Sequence, residues 1–213
     1  MKNINTYINE KLKISKSKKT EYTLFPETID ELVEMIKNEI KQNGNECSLN
    51  HIDTSKITDM QYLFSYGETQ DFNGDISQWD VSNVTDMYAM FANSKFTAEN
   101  GDITDWNVSN VTNMGYMFYN TWFNGDLSGW DVSNVKNMES MFSKSKFNNN
   151  SICRWDVLNV KNMISIFRLT PFYQDLSTWT IHKDTERVYW FDKCPIERKS
   201  AFHPLFINSN NPN

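Results

Sequence analysis

The sequence predicts an α/β repeat solenoid of about six turns, each a short parallel strand followed by a short helix, with a helical cap at the N-terminus. Three observations predict it. The block from Asp75 to Phe91 recurs along the chain with small changes. The tryptophans Trp79, Trp106, Trp130, Trp155 and Trp179 are separated by 27, 24, 25 and 24 residues, so the core period is 24. Within each copy the apolar residues sit first at strand-like and then at helix-like spacing.

The organisation follows in chain order. Residues 1–46 do not repeat and are expected to form the N-terminal helical cap. Residues 2–19 carry Lys2, Lys11, Lys13, Lys16, Lys18 and Lys19 against Glu10, with Ile4, Tyr7, Ile8 and Leu12 at helical spacing, which predicts a basic amphipathic helix. Glu21 to Phe25 reads as a strand before Pro26. Thr28-Ile-Asp-Glu31 is a capping box, and Ile29, Leu32, Val33, Ile36 and Ile40 form a helical stripe that ends at Gly44. That helix is expected to cover the open edge of the first turn.

Residues 47–195 form the repeating region. Ile76-x-x-Trp79-x-Val81 has the L-x-x-L-x-L spacing of a leucine-rich repeat, with Trp79 and Val81 inward and Gln78, Asp80 and Ser82 outward. Val84, Met87, Met90 and Phe91 then recur at three, three and one, one face of a short helix that Ser82 or Asn83 would cap. Phe72, Phe96, Phe123, Phe147 and Phe172 return the chain. An earlier copy without its tryptophan keeps the spacing as Leu49, Ile52, Ile57, Met60 and Phe64. In the last copy Asp184 and Arg187 stand where Val84 and Met87 stand, as a terminal turn with no outer neighbour requires. Residues 196–213 are expected to be a C-terminal cap or tail. One turn cannot bury its apolar face alone, so the Trp, Met and Phe columns read as core ladders rather than a cofactor box.

Composition narrows the function. The 213 residues carry 21 Lys and Arg against 27 Asp and Glu, a net charge of −6, which argues against a partner whose many phosphates must be neutralised. A mean hydropathy of −0.61 with no long apolar run predicts no membrane span. The basic start lacks an apolar h-region, so a cytoplasmic chain is expected. Cys47, Cys153 and Cys194 are an odd, widely spaced set without a C-x-x-C, which predicts neither a disulfide framework nor a zinc site.

The repeat Phe-Asn-Gly-Asp-Ile-Ser-x-Trp-Asp-Val-Ser-Asn-Val-Thr-x-Met-x-x-Met-Phe resembles that of the BspA-like leucine-rich-repeat surface proteins of bacteria, over about residues 47–195. The resemblance implies a solenoid that binds proteins in adhesion or host interaction, displayed at the surface, with no catalytic residues and no cofactor. Relatives without an export peptide, among phages and mobile elements, imply instead an intracellular inhibitor or adaptor that masks a partner protein.

The residues themselves point the same way. No nucleophile elbow, zinc-binding helix motif or phosphate-cradling glycine loop is present, and His51, His182 and His203 lie far apart, so no enzyme is expected. The polar column after each tryptophan, Asp53, Asp80, Asn107, Asp131, Asp156 and Thr180, is expected to cap local turns or bond the adjacent Ser and Asn; a shared calcium ion is the alternative. Candidate contact residues are those that break the pattern. Trp122 stands where Lys95, Lys146 and Pro171 stand in other copies. Arg154 and Leu158 replace small or polar residues beside Asp156, and Asp80 and Asp131 share its column. Tyr88 and Tyr116, placed at equivalent outer helix positions, extend an aromatic patch. The expected partner is a protein, with no nucleic acid and no cofactor, bound by a monomer.

Overall fold

A computed structural model describes residues 21–208. The expected basic helix over 2–19 and the last residues of the tail lie outside that range.

The capping box builds the one α-helix among the described residues, α1 (Ile29–Asn43). The Thr28 hydroxyl accepts the Glu31 amide at 3.2 Å, while the Glu31 carboxylate accepts the amide of Glu27 at 2.8 Å, one residue before the cap. Gly44 closes the helix at φ 83°, a conformation that favours glycine, and donates its amide to Ile40 O. Leu32 and Ile36 are fully buried, so the helix docks by that stripe. Glu21 to Phe25 contributes a single parallel bridge, Leu24 to Ile52, where Thr23 N–H donates to His51 O and Asp53 N–H to Leu24 O, both at 2.9 Å.

Successive copies then lie side by side in parallel register. Bridges join Asp59 to Asp86, Asp86 to Asn113, Asn113 to Asn137, Asn137 to Asn162, and Asn162 to Glu186. From each bridge, alternate amides donate to the following copy: Met87 to Asn113 O, Ala89 to Gly115 O and Phe91 to Met117 O, at 2.8 to 3.0 Å. The amides between them bond locally, Met90 to Met87 O and Ala92 to Ala89 O.

This pattern corrects the expected helix over Val84 to Phe91, which is absent. Asp86 Oδ1 accepts the Tyr88 amide at 2.8 Å, an Asx-turn that competes with helical bonding. The residue that follows Tyr88, third after the bridge residue, is then left-handed, as the third position of a type II turn requires. That residue is Tyr62, Ala89, Tyr116, Ser140, Ser165 or Tyr189, at φ 51° to 59°. A second left-handed column, Asn93, Asn120, Lys144, Leu169 and Lys193, follows four residues on. The three-three-one spacing that reads as a helix face is therefore the inward spacing of linked turns.

The expected strand around Ile76 to Val81 is likewise two turns, with Trp79 N–H donating to Ile76 O and Val84 N–H to Val81 O. The one regular strand pair among the described residues is β1 (Thr180–His182) with β2 (Leu205–Ile207), parallel, towards the C-terminal end. Two short 3-10 turns, Pro195–Arg198 and Ser200–Phe202, lead into β2, and Leu176 N–H donates to Phe202 O. In the last copy the buried level falls on Thr185, whose hydroxyl donates to Val160 O, while Asp184 is exposed, a shift of one residue from the expected alignment.

One apolar cluster runs from Leu32 to Ile196. Phe64, Phe91, Phe118, Phe142, Phe167 and Phe191 stack along it with neighbouring ring centres 5.4 to 5.9 Å apart, and neighbouring planes lie within 7° of each other except in the last pair, at 21°. The tryptophans also carry hydrogen bonds. Trp79, Trp106, Trp130, Trp155 and Trp179 donate Nε1–H to Leu49, Ile76, Ile103, Leu127 and Ile152 carbonyls, each in the preceding copy. Each of those oxygens already accepts an amide in its own copy, such as Trp106 N–H on Ile103 O at 3.2 Å.

Trp130→Phe, which removes that indole donor as well as volume, is expected to cost about 1 to 3 kcal/mol, and Trp130→Ala about 3 to 5 kcal/mol. Half-buried Trp190, at the end of the core, is expected to cost less than Trp130 when changed to Ala. Chemical denaturation of the three variants measures these differences. At exposed Lys193, φ 56°, Lys193→Val is expected to lose about 1 to 2 kcal/mol while Lys193→Gly is neutral or stabilising, which thermal melts check.

Candidate functional site

The linked turns determine which side chains leave the stack together. Tyr62 and Tyr116 share one register position, the left-handed one occupied by Ala89 in the copy between them. Tyr88 precedes that position by one, level with Gly115. Tyr88 and Tyr116 are therefore not equivalent, contrary to the expectation from a helix. Gly115 accommodates the offset, because a Cβ there would stand 3.0 Å from Tyr88 Cδ2 and 2.8 Å from Asn137 Nδ2.

The result is a continuous row. Ring centres are 6.1 Å apart from Tyr66 to Tyr62, 5.4 Å to Tyr88, 5.5 Å to Tyr116 and 5.4 Å to Tyr119. Adjacent planes are tilted by 50° to 69°, with Tyr62 and Tyr88 meeting edge to face, so the rings leave wedges between them. Tyr62, Tyr66, Tyr88, Tyr116 and Tyr119, with Ala89 and Ala92 at its floor, line a cleft of about 340 Å³. Tyr66 is 67% exposed and Tyr62 43%, whereas Tyr88 and Tyr116 are half-buried.

Two contacts anchor the row at its Tyr119 end. Tyr116 donates its hydroxyl to Glu139 Oε1 at 2.9 Å, and Glu139 Oε2 accepts Asn162 Nδ2. Lys144 donates to the Tyr119 hydroxyl at 2.6 Å and lies 5.0 Å from that ring's centre. Burial among its neighbours, then the charges of Tyr62, Tyr116 and Glu139, pushes the Tyr88 phenol from 10.0 up to about 12. Tyr116 is raised as well, first by burial.

The other predicted residues lie apart from this row. Asp80, Asp131 and Asp156 are exposed and in one column, each with Oδ1 accepting the amide two residues on, from Ser82, Ser133 and Leu158 at 3.0 to 3.1 Å. The Ser133 hydroxyl, then its amide, holds the Asp131 carboxyl below the usual carboxylate range. Arg154 ends the 3-10 turn Asn150–Arg154 and lines a separate groove with Cys153, Asp175 and Thr178, and Leu158 is half-buried beside Asp156. Among the described residues no hydrogen bond, ion pair or ring contact joins this column or Arg154 to the tyrosines. Trp122 is 68% exposed, with Lys146 Nζ 5.2 Å from its ring centre.

Tyr62, Tyr66, Tyr119 and Lys144 were not singled out from the sequence. The signal available was register: Tyr62 and Tyr116 occupy one position of the 24-residue unit, two residues after its first methionine.

Because the folded phenol holds its proton more tightly than the unfolded one, Tyr88 contributes stability that is full below pH 10 and declines as pH rises from about 10 to 12. A spectrophotometric tyrosinate titration is expected to show a late step near pH 12 that disappears in Tyr88→Phe.

Comparison with curated proteins and with solved structures returns no match. A family model does match, over residues 30–121 and again over 93–201, two overlapping placements of the kind a repeating chain allows. Together they run from α1 through the last copy, and the chain belongs to the family described as Mycoplasma protein of unknown function, DUF285.

Proposed function

We propose that this chain is a non-enzymatic, protein-binding solenoid, an inhibitor or adaptor that masks a partner protein, and that it makes contact through the tyrosine row and Trp122. The observation that carries this reading is the row itself: five neighbouring tyrosines on a hydrogen-bonded stack, with Tyr66 and Trp122 about two-thirds exposed. Tyrosine and tryptophan bury large area at low entropic cost and are enriched at binding hot spots. A preformed aromatic face on a rigid support also avoids the ordering cost of a flexible loop.

The polar groups support a scaffold role. The carboxylate and amide oxygens of Asp80, Asp86, Asn113, Asn137 and Asp131 each accept a backbone amide two residues on, so the repeated polar side chains are engaged in holding turns. No helix among the described residues is long and apolar enough to cross a membrane.

A second reading, a surface adhesin of the BspA-like class, is favoured by the repeat Phe-Asn-Gly-Asp-Ile-Ser-x-Trp-Asp-Val-Ser, and it uses the same face against a host protein.

A photo-crosslinking residue at Tyr66, with a second at Asp131 as control, tests the contact face in the source cells. One defined protein is expected to be captured from Tyr66 and not from Asp131, and to be lost when Tyr119 is also changed to Ser. Capture from Asp131 alone contradicts the assigned face. Surface proteolysis of intact cells separates the two readings, since only an adhesin is cut.

A further inference from the structure

The tyrosine row ends at Lys144, which donates to the Tyr119 hydroxyl and, among the described residues, forms no ion pair with a carboxylate. Lys144 rests on Tyr119, and Lys146, beyond the buried Ser145, rests on Trp122. Two copies back, Lys95 is exposed beyond the buried Ser94, in register with Trp122 beyond the buried Thr121 and with Lys146. The ion pairs among the described residues are Lys37 with Glu34, His51 with Glu39, Lys56 with Glu27, and Arg168 with Asp192, and none uses these three lysines. Of the acids beside the row, Glu139 is occupied on both oxygens by Tyr116 and Asn162, and Glu68 lies at the opposite end, in a groove with Tyr62 and Tyr66. In a chain of net charge −6, Lys95, Lys144 and Lys146 place three positive charges along this edge, against the exposed Asp71, which stands one copy before Lys95 in the same column. A lysine held over a ring face keeps its full charge and its remaining donors for an incoming anion.

We infer that this edge binds an extended acidic segment of the partner protein, which rests on the protein-binding reading above. An aliphatic or aromatic side chain of that segment enters the cleft between Tyr62, Tyr66, Tyr88 and Tyr116, and flanking carboxylates meet Lys95, Lys144 and Lys146. An extended peptide places same-side groups about 6.6 Å apart, a separation that flexible lysine stems span across neighbouring copies. The same features disfavour single-stranded nucleic acid. Bases stack on flat, open ring faces, whereas these rings are tilted by 50° or more into wedges. Three lysines also neutralise few phosphates.

The test is to pan a display library of random peptides on the intact chain, with fluorescence anisotropy of labelled oligo-dT in parallel. Enriched peptides are expected to carry Asp or Glu beside an aliphatic or aromatic residue. Their affinity is expected to fall about tenfold or more for Lys144→Glu/Lys146→Glu and to persist in Lys144→Arg/Lys146→Arg, with unchanged thermal melts in both. Enrichment of neutral or basic peptides, no enrichment, or equal binding by the charge-reversed variant would overturn the inference, as would oligo-dT binding that the same variant abolishes. A protein cross-linked from Tyr66 and still captured by the charge-reversed variant would overturn the acidic segment alone and leave the protein-binding reading standing.

Discussion

The carbonyl that accepts twice is the contact on which the rest of this structure depends. Ile103 O takes the amide of Trp106 in its own copy and the indole of Trp130 in the next, and the same pair of bonds recurs at Leu49, Ile76, Leu127 and Ile152. The first bond shapes a turn and the second fixes where the following turn must lie. An indole reaches across a copy and still fills the core, which a phenyl ring or a leucine cannot do with a hydrogen bond in hand. Asn83, Asn110, Asn134 and Asn159 repeat the principle at the surface, each donating Nδ2–H to a serine carbonyl one copy back.

This arrangement replaces regular secondary structure with a lattice. Twelve described non-glycine residues are left-handed, a conformation that disfavours each by about 1 to 2 kcal/mol in isolation. It persists because alternate amides then point sideways into the next copy, and because the stacked phenylalanines and buried methionines on the inside are shared between neighbours. End copies lack one neighbour. At the start α1 and the Leu24 bridge cover the edge, and at the end β2 pairs with β1 while Arg187 lies over Phe206, 4.7 Å from its ring centre, and donates to Lys183 and Thr185 carbonyls.

Much of this was legible in the residues. The 24-residue period, the inward Trp, Met and Phe columns, the capping box at Thr28 and the stripe of α1 all follow from spacing, because burial acts on periodicity directly. The local backbone was not. Val84, Met87, Met90 and Phe91 fit a helix face and a chain of linked turns equally well, and only the sideways amide bonds distinguish them. The same error displaced the aromatic surface. Treating Tyr88 and Tyr116 as equivalent helix positions hides the offset at Gly115 and with it the neighbours Tyr62, Tyr66 and Tyr119. Trp122 was legible because it breaks a column of lysines and proline, whereas Lys144 looked like an ordinary surface lysine until its position over Tyr119 was known.

The row of tyrosines thus exists only because the turns are linked sideways. Scalar couplings transmitted through hydrogen bonds, measured by NMR between amide nitrogens and carbonyl carbons, test that arrangement most directly. The stack predicts couplings from Ala89 to Gly115, from Tyr116 to Glu139 and from Ser140 to Ile164. Couplings from Tyr88 to Val84 and from Phe91 to Met87, the pattern of a helix, would contradict it.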